Sequence, residues 1–250
     1  MKIGIIGFGS LGSALASGLV KSGCVSMGNL HVCDSSPEAR ALAGRAPYHA
    51  NVSHDADSAI NNCEIIFLTV KGYVFEEISR RIDSRIFSGK TVVSFMAGVS
   101  LETLFSLIGN VSLVRAMPSL AIATCEGVIG YTKASADVSG ILHKLGYAFE
   151  VEPDEIEKVM AFSSCGLGFA AYLIDAFAAA GTSMGFSSDT SAQIAALTFK
   201  TAVDRGSFRD TVNAVATKGG ATEQGIIHFD ESGVYDIVAR AVRKAYERMT

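Results

Sequence analysis

The sequence has few charged residues and no cluster of one sign. Asp, Glu, Lys and Arg make up 18% of the 250 residues, and the formal net charge is -4. Lysine and arginine are scattered, so the chain has no basic patch that could bind a nucleic-acid backbone, and we expect no nucleic-acid partner. The hydrophobic share of 49% predicts a globular protein with an ample core.

Long apolar runs are also absent from the sequence. No uninterrupted stretch approaches the roughly 20 apolar residues that a membrane-spanning helix needs. The apolar N-terminus reaches a glycine turn too early to be a secretion signal. We therefore expect no membrane partner and a cytoplasmic location.

The five cysteines form no C-x-x-C pair, and their odd number and wide spacing argue against a disulfide framework or a zinc site. The histidines are equally scattered, and none stands beside an acid at metal-ligand spacing on a helix. No metal site is predicted. The sequence also shows no Ser-His-Asp set and no pair of catalytic carboxylates.

What the sequence does contain is a glycine-rich turn after a short apolar strand. Residues 2–6 are the predicted strand, and Gly7, Gly9 and Gly12 complete a G-x-G-x-x-G pattern. In this pattern the first glycine permits a tight turn, the second lets a pyrophosphate approach the backbone, and the third lets helix and strand pack closely. Residues 11–20 have helical apolar spacing, so their first N–H groups would face the phosphate. We predict a dinucleotide site in preference to a simple glycine turn.

An acid follows the second predicted strand, residues 29–33. Asp34 stands where a carboxylate accepts hydrogen bonds from a ribose 2′-hydroxyl and repels a 2′-phosphate, which favours NAD. Ser35, Ser36 and Arg40 argue the other way, because they could donate hydrogen bonds to that phosphate. A third possibility is that Ser36 only caps the following helix, so the choice between NAD and NADP stays open with a lean toward NAD.

Another apolar strand is predicted at residues 64–70. Its continuous hydrophobicity suits a central parallel strand that is covered on both faces. Lys71 follows at the carboxyl end, where doubly wound folds bind ligands, although a solvated loop lysine is an equally good interpretation.

Strand and helix signals alternate over about the first 150 residues, which predicts a Rossmann-type doubly wound parallel sheet. We assign residues 1–151 to this dinucleotide-binding domain and residues 152–250 to an all-helical second domain. Residues 154–184 are predicted to form one long apolar helix or two helices with a bend between them, with almost no charged face. A domain of about 100 residues has too little interior to bury such a helix, so we expect a partner subunit to cover it.

Three further blocks resemble the pyrroline-5-carboxylate reductase family, whose members reduce a cyclic imine to proline. The blocks are residues 93–100 (VSFMAGVS), residues 114–118 (VRAMP) with Glu126 and Gly127, and residues 217–222 (TKGGAT). Their order and separation match the family as well, and the ending at residues 231–248 is similar. Together these blocks are far more specific than a lone glycine motif.

The resemblance implies a Rossmann domain with the nicotinamide near Met117 and Pro118, and a helical domain that interleaves with a second subunit in a homodimer or a higher oligomer built from dimers. With the glycine turn and the strand ends, it predicts that NADP or NAD contacts Gly7, Phe8, Gly9, Ser10, Leu11, Gly12, Asp34, Ser35, Ser36, Val70, Lys71, Ala97, Gly98, Met117 and Pro118.

The resemblance also implies a substrate loop late in the helical domain. The predicted substrate residues are Ser119, Cys165, Gly219, Gly220, Ala221 and Thr222. Two successive glycines let backbone N–H groups converge on the carboxylate of the imine, and a helix start adds its dipole. Thr222 matches the position whose hydroxyl faces the ring nitrogen, which makes it the predicted catalytic residue. The alternative is an ordinary glycine turn that caps a helix.

The sequence departs from the family pattern in segments that would line the pocket. The usual Ser-Gly-Ser-Gly-Pro-Ala-Tyr is SSCGLGF at residues 163–169, and the usual Met-Pro-Asn-Thr-Pro is MPSLA at residues 117–121. Lys218 and Gly72 each replace a proline. Three alternatives therefore stay open: a different cyclic imine, hydride exchange between NADP and a deazaflavin, or a nucleotide-binding paralogue without turnover.

Overall fold

The computed structural model describes residues 1–26 and 28–249. It forms two compact units, one of residues 1–164 with the short segment that begins at Tyr246, and one of Cys165–Ala245. The units divide later than the boundary predicted after residue 151. The reason is that the helix beginning at Pro153 buries Ile156 and Ala161 in the first unit.

The first unit is built on one sheet of eight strands. The strands are β1 (Ile3–Ile6), β2 (Leu30–Cys33), β3 (Asn51–Ser53), β4 (Ile65–Leu68), β5 (Thr91–Ser94), β6 (Ser112–Pro118), β7 (Gly127–Tyr131) and β8 (Gly146–Glu150). Their order in the sheet is β3-β2-β1-β4-β5-β6-β7-β8. Strands β1 to β6 are parallel, which confirms the Rossmann-type prediction.

The last two strands run in the opposite direction. Strand β7 pairs antiparallel with β6, and β8 pairs parallel with β7. A wholly parallel sheet was expected, but the connection between Pro118 and Gly127 holds only a short 3-10 turn, Leu120–Thr124. A parallel crossover needs a dozen or more residues, so this connection can only reverse the chain.

Helices cover both faces of the sheet. They are α1 (Ser10–Lys21), α2 (Pro37–Ala43), α3 (Ala56–Asn61), α4 (Gly72–Ser79), α5 (Leu101–Ile108), α6 (Ala136–Lys144) and α7 (Ile156–Val159). Ser100 caps the start of α5, because its hydroxyl accepts the N–H of Thr103 at 3.1 Å. Helix α3 was not predicted, since its six residues are too few to show a helical period.

Residues of β1 and β4 point alternately to two buried clusters, one on each face of the sheet. Ile3, Ile5 and Phe67 belong to the cluster on the α1 and α6 side. Ile6 and Leu68 belong to the cluster that includes α3 and α5. Burial on both faces explains why the sequences of these strands are continuous apolar runs.

The second unit is all helical, as predicted. Its helices are α8 (Cys165–Ser183), α9 (Ser188–Asp204), α10 (Phe208–Val215), α11 (Ala221–Glu231) and α12 (Val234–Glu247), of which α12 ends beyond the unit. Helices α8 and α9 form an antiparallel hairpin in which the rings of Phe177 and Phe199 lie 5.7 Å apart. Of the residues described in this unit, only Ser191 and Ala195 are buried.

The long helix runs without a break from Pro153 to Ser183. It opens with a 3-10 turn, and a π-helical turn at Met160–Ser164 precedes α8. Within the described part of the chain it is the one helix long and apolar enough to cross a membrane by length and composition, and 6% of its most apolar window is buried. The core helix of a soluble oligomer passes the same test, so the expected absence of a membrane partner stays a prediction.

Candidate cofactor site and substrate loop

The three glycines of the first turn have different surroundings. Gly7 has a φ of +99°, and a Cβ placed on it would lie 2.6 Å from Cγ1 of Val70. A Cβ on Gly12 would lie 2.1 Å from the carbonyl oxygen of Gly7. A Cβ on Gly9 would meet none of the described atoms within 4 Å. The first and third glycines are therefore required by packing, whereas the second borders free space at the surface.

The opening of α1 lies at this free space. Gly9 is the N-cap residue, it provides no capping side chain, and the first turn contains no acidic residue. The first N–H groups of a helix have no partner inside the helix, and with the helix dipole they attract an anion. Gly9 and Ser10 are exposed and Leu11 is half-buried, so the backbone from Gly9 onward is accessible to a pyrophosphate.

Asp34 fixes the glycine turn to the end of β2. Its Oδ2 accepts the N–H of Phe8 at 2.6 Å, and its Oδ1 accepts the N–H of Ser36 at 2.8 Å. Phe8 itself is buried, with its ring edge-on to that of Tyr48 at 5.4 Å. Phe8 therefore contributes to this site by packing, because its N–H group is already engaged by Asp34.

Thr69 supports the turn from the end of β4. Its hydroxyl donates to the carbonyl of Gly7 at 2.7 Å. The neighbouring Val70 is half-buried and faces Gly7, as its predicted place in the site requires. Lys71 is the exposed N-cap residue of α4, so the structure is compatible with either interpretation of this lysine. Sequence reasoning missed Thr69, because a threonine at a strand end is common.

A cavity of about 350 Å³ opens beside the turn. The predicted residues Gly7, Asp34, Ser35 and Val70 line it, together with Ile6, Cys33, His54, Asp55, Ala56, Asp57, Val74, Glu77, Ile78, Arg81 and Ile82. Burial raises the pKa of the Cys33 thiol to about 11, so this group stays protonated and neutral at pH 7. The cavity thus has an apolar wall and a polar rim, the combination that suits an adenosine.

Four further predicted cofactor residues follow or end β5 and β6, and two of them, Met117 and Pro118, are those predicted near the nicotinamide. Ala97 and Gly98 are exposed after β5, and Met117 and Pro118 are buried at the end of β6. The carbonyl of Pro118 accepts the hydroxyl of Ser164 at 3.0 Å. This contact joins the end of β6 to the π-helical turn.

Ser119 does not suit its predicted substrate contact. It is 5% exposed, and its hydroxyl accepts the N–H of Val128 at 3.1 Å. Its own N–H donates to the carbonyl of Val128 at 3.0 Å. Because these hydrogen bonds hold Ser119 against β7, its side chain is part of the sheet structure and faces away from solvent.

The predicted substrate loop lies in the second unit and opens α11. Gly219 has a φ of +73°, and its N–H donates to the carboxylate of Glu223 at 2.6 Å. The N–H of Gly220 donates to the carbonyl of Thr217 at 2.8 Å. The N–H groups of Gly219 and Gly220 are therefore engaged inside the loop, and the anion-binding role of the loop stays a prediction.

The remaining part of the loop is accessible. Gly220 caps α11 without a side chain, and Ala221 and Thr222 occupy the first exposed helical positions. Their N–H groups point out of the helix start, where an anion is favoured. Cys165, the other predicted substrate residue in this unit, has a free, half-buried thiol at the start of α8.

Comparisons with known proteins bear on both units. A family model described as pyrroline-5-carboxylate reductase dimerisation matches residues 153–250, and one described as NADP oxidoreductase, coenzyme F420-dependent, matches residues 2–98. Pyrroline-5-carboxylate reductase from Methanosarcina acetivorans is 29% identical, with 99% of this chain and 96% of that protein covered. Residues 153–250 thus match the dimerisation family of pyrroline-5-carboxylate reductase, and the chain is similar to these reductases over nearly its whole length.

Other pyrroline-5-carboxylate reductases are similar to this chain over the same length. Pyrroline-5-carboxylate reductase 3 from Xenopus laevis is 27% identical, with 99% of this chain and 94% of that protein covered. The crystal structure of pyrroline carboxylate reductase from Plasmodium falciparum with NADP bound has a TM-score of 0.88 at 23% identity, covering 100% and 97% of the two chains. The resemblance read from the three blocks is confirmed, and the dimerisation match supports self-association.

Proposed function

We propose that the protein is an NAD(P)H-dependent reductase that converts pyrroline-5-carboxylate to proline. The observation that carries the proposal is a complete dinucleotide turn, with free space at Gly9 and a carboxylate at Asp34, in a chain similar to these reductases. Steady-state oxidation of NADH and NADPH in the presence of pyrroline-5-carboxylate tests it directly. Tight cofactor binding without turnover would refute the reductase and favour a nucleotide-binding paralogue.

Hydride transfer to an imine requires little acid–base chemistry from the protein. The reduced nicotinamide supplies the hydride, and the protonated imine already carries the positive charge that lets its carbon accept it. The protein has to align the two reactants and exclude water. This requirement calls for neither a Ser-His-Asp set nor a pair of catalytic carboxylates, and the sequence shows neither.

The proposal assigns cofactor-binding residues in the first unit and substrate-binding residues in the second. Gly9 and the start of α1 bind the pyrophosphate, Asp34 binds the ribose, and Met117 with Pro118 borders the nicotinamide. The N–H groups of Ala221 and Thr222 bind the carboxylate of the imine, because those of Gly219 and Gly220 are engaged in the loop. The Thr222 hydroxyl bonds the ring nitrogen.

Replacing Thr222 with alanine should reduce kcat/KM for the imine about ten- to a hundredfold, since one hydrogen bond to a charged group contributes roughly 1.5–3 kcal/mol. Cofactor affinity should not change. The matched control is Thr222→Ser, which keeps the hydroxyl and should retain most of the activity. If Thr222→Ala melts early but turns over the imine normally, the threonine belongs to the helix start and has no catalytic part.

Self-association as a homodimer is expected from the surface of the second unit. Tyr172, Leu197, Phe208 and Tyr235 are each at least half exposed, and other large apolar side chains of α8 to α12 are exposed with them. Monomers rarely expose contiguous apolar patches above a few hundred Å². Light scattering at micromolar concentration should therefore give at least twice the chain mass of 26.2 kDa. A mass equal to that of one chain would contradict this.

A second candidate is hydride exchange between NADP and a deazaflavin. The description of the family model that matches residues 2–98 favours it. The dimerisation match over residues 153–250 favours the imine instead. Oxidation of NADPH by coenzyme F420 in the absence of an imine would support hydride exchange with a deazaflavin as the function. The cytoplasmic location stays a prediction.

A further inference from the structure

The carboxyl ends of strands β1 to β6 form one edge of the sheet. Asp34 follows β2 on one side of β1, whereas β4, β5 and β6 lie on the other side. A dinucleotide with its adenosine end at Asp34 and its pyrophosphate at the glycine turn extends toward β4, β5 and β6. At about 4.8 Å between neighbouring strands, β6 lies roughly 14 Å from β1. Pro118, the last residue of β6, is therefore on the nicotinamide side of this edge.

The carbonyl of Pro118 points away from the neighbouring strand β7. Along an antiparallel pair, positions with hydrogen bonds alternate with positions without them. The N–H of Ser119 donates to the carbonyl of Val128 at 3.0 Å, so this is a bonded position. Pro118 is the next residue and lies opposite Ile129, at a position without such bonds. A partner for its carbonyl has to come from outside the pair of strands.

Ser164 provides this partner. Its hydroxyl donates to the carbonyl of Pro118 at 3.0 Å, and both residues belong to the first unit. The preceding Ser163 makes a different bond, because its hydroxyl donates to the carbonyl of Val159 at 2.7 Å, one helical turn earlier. Both serines are half-buried in the π-helical turn. One hydroxyl is thus used inside the helix, and the other reaches the end of β6.

The bond is one end of a longer contact between this helix and β6. At the other end Glu157 pairs with Arg115, and Ala161 is buried. Glu157, Ala161 and Ser164 are spaced by four and three residues, so they share one helix face. Seven helical residues at about 1.5 Å and three strand residues at about 3.3 Å both span roughly 10 Å. The helix therefore follows the strand between the ion pair and the carbonyl of Pro118.

The bond joins the two segments in which this chain departs from the family pattern. Pro118 belongs to MPSLA at residues 117–121, and Ser164 belongs to SSCGLGF at residues 163–169. The usual pattern has a glycine at the place of Ser164, and glycine has no hydroxyl to donate. The contact is therefore a property of this chain. It also lies in a π-helical turn, a rare form that is frequent at functional sites.

We propose that Ser164 is a positioning residue for hydride transfer, because its hydroxyl holds the carbonyl of Pro118 and thereby the end of β6 that borders the nicotinamide. The inference rests on the cofactor site of the proposed function. Hydride transfer requires a short, aligned distance between the reactants, so a small displacement of this strand end lowers the rate more than the affinity. Ser164 acts through Pro118 and is not itself a catalytic residue.

Replacing Ser164 with alanine removes the hydroxyl and keeps a good helix former. We expect the single-turnover rate of NAD(P)H oxidation by pyrroline-5-carboxylate to fall about three- to tenfold, and KM for the imine to change less than about twofold. The matched control is Ser163→Ala, which removes the neighbouring hydroxyl from the same turn and should change neither quantity. Ser164→Thr keeps a hydroxyl and should retain most of the rate.

A second measurement needs no imine. ADP-ribose carries the adenosine and both phosphates but lacks the nicotinamide, so its affinity reports the adenosine and pyrophosphate sites alone. Ser164→Ala should bind ADP-ribose as the unchanged protein does. It should alter the fluorescence of bound NADH or NADPH, which reports the surroundings of the reduced nicotinamide. Ser163→Ala should alter neither, and thermal melting of both variants reports their stability.

These outcomes are distinct from those of the proposed function. If the unchanged protein binds NAD(P)H but does not reduce the imine, the reductase is refuted, and unaltered cofactor fluorescence in Ser164→Ala then refutes the positioning role as well. In an active enzyme, equal hydride-transfer rates in Ser164→Ala and Ser163→Ala refute the positioning role. An equal loss of ADP-ribose affinity and of rate, or a fall in melting temperature alone, also refutes it, because the bond then serves only the fold.

Discussion

Replacing Gly9 with valine is expected to lower the affinity for NADH and NADPH at least a hundredfold, about 2.8 kcal/mol, while the chain stays folded. The free space at Gly9 accepts a side chain without a clash, since a Cβ there meets none of the described atoms within 4 Å. The backbone also suits valine, with a φ of -73° and a ψ of -160°. The same side chain would occupy the space that a pyrophosphate needs at the start of α1.

Two other glycines provide the controls for this variant. Gly140→Val makes the same substitution at an exposed position of α6 with equally free space, and should change neither affinity nor fold. Gly12→Ala should instead unfold the protein, because the alanine Cβ would lie 2.1 Å from the carbonyl oxygen of Gly7. Circular dichroism reports the fold and fluorescence titration reports the affinity. Unchanged NAD(P)H affinity in folded Gly9→Val would refute the cofactor assignment.

The parts of the cofactor site that the sequence predicts are those set by local backbone requirements. The glycine pattern and the carboxylate after β2 can be read from spacing alone, and the structure places Gly7, Asp34 and Val70 around one cavity. Of the other cavity residues, Ser35 was also predicted and the rest were not. Asp57 and Glu77 lie on different helices, and only the packing of α3 and α4 against the sheet brings them to one side of Asp34.

The substrate loop shows a different limit of sequence reasoning. The Gly-Gly pair predicts converging N–H groups but does not say what already binds them. Glu223 is the third residue of α11, a position from which glutamate often reaches back to an N–H before the helix. This capping signal was present in the sequence, and it explains why Gly219 is engaged by the chain itself.

The reversal of the last two strands was missed for a similar reason. Hydrophobic runs indicate that β6, β7 and β8 are strands, but they do not indicate strand direction. Strand direction depends on the connection, and the segment after Pro118 is too short for a crossover. The helix that starts at Pro153 then packs on this end of the sheet, and the contact includes one buried ion pair.

Arg115 and Glu157 form that ion pair, between β6 and α7. The side chains are 5% and 12% exposed, and Arg115 Nη2 contacts the Glu157 carboxylate. Arg115 Nη1 also donates to the carbonyl of Pro153 at 3.3 Å, at the first residue of the long helix. The pair thus connects the start of this helix to the strand that carries Met117.

Replacing Glu157 with alanine is expected to reduce the free energy of unfolding of the first unit by about 3–5 kcal/mol, because it leaves a buried guanidinium without its counter-charge. The matched control is Glu76→Ala, which removes an exposed partner of Arg80 at 3.6 Å and should change stability by less than about 1 kcal/mol. Urea unfolding and hydrogen exchange of the β5 and β6 amides measure the effect.

A double variant separates the contribution of charge to stability from that of packing at this ion pair. Arg115→Met with Glu157→Leu removes both charges and keeps apolar volume, so it should recover most of the stability that Glu157→Ala loses, since buried pairs replaced by apolar side chains often lose little. If Glu157→Ala and Glu76→Ala each lower the free energy of unfolding by less than about 1 kcal/mol, the pair does not hold α7 to the sheet. If the double variant is as unstable as Glu157→Ala, the aliphatic contacts of these two side chains, and not their charges, anchor the long helix.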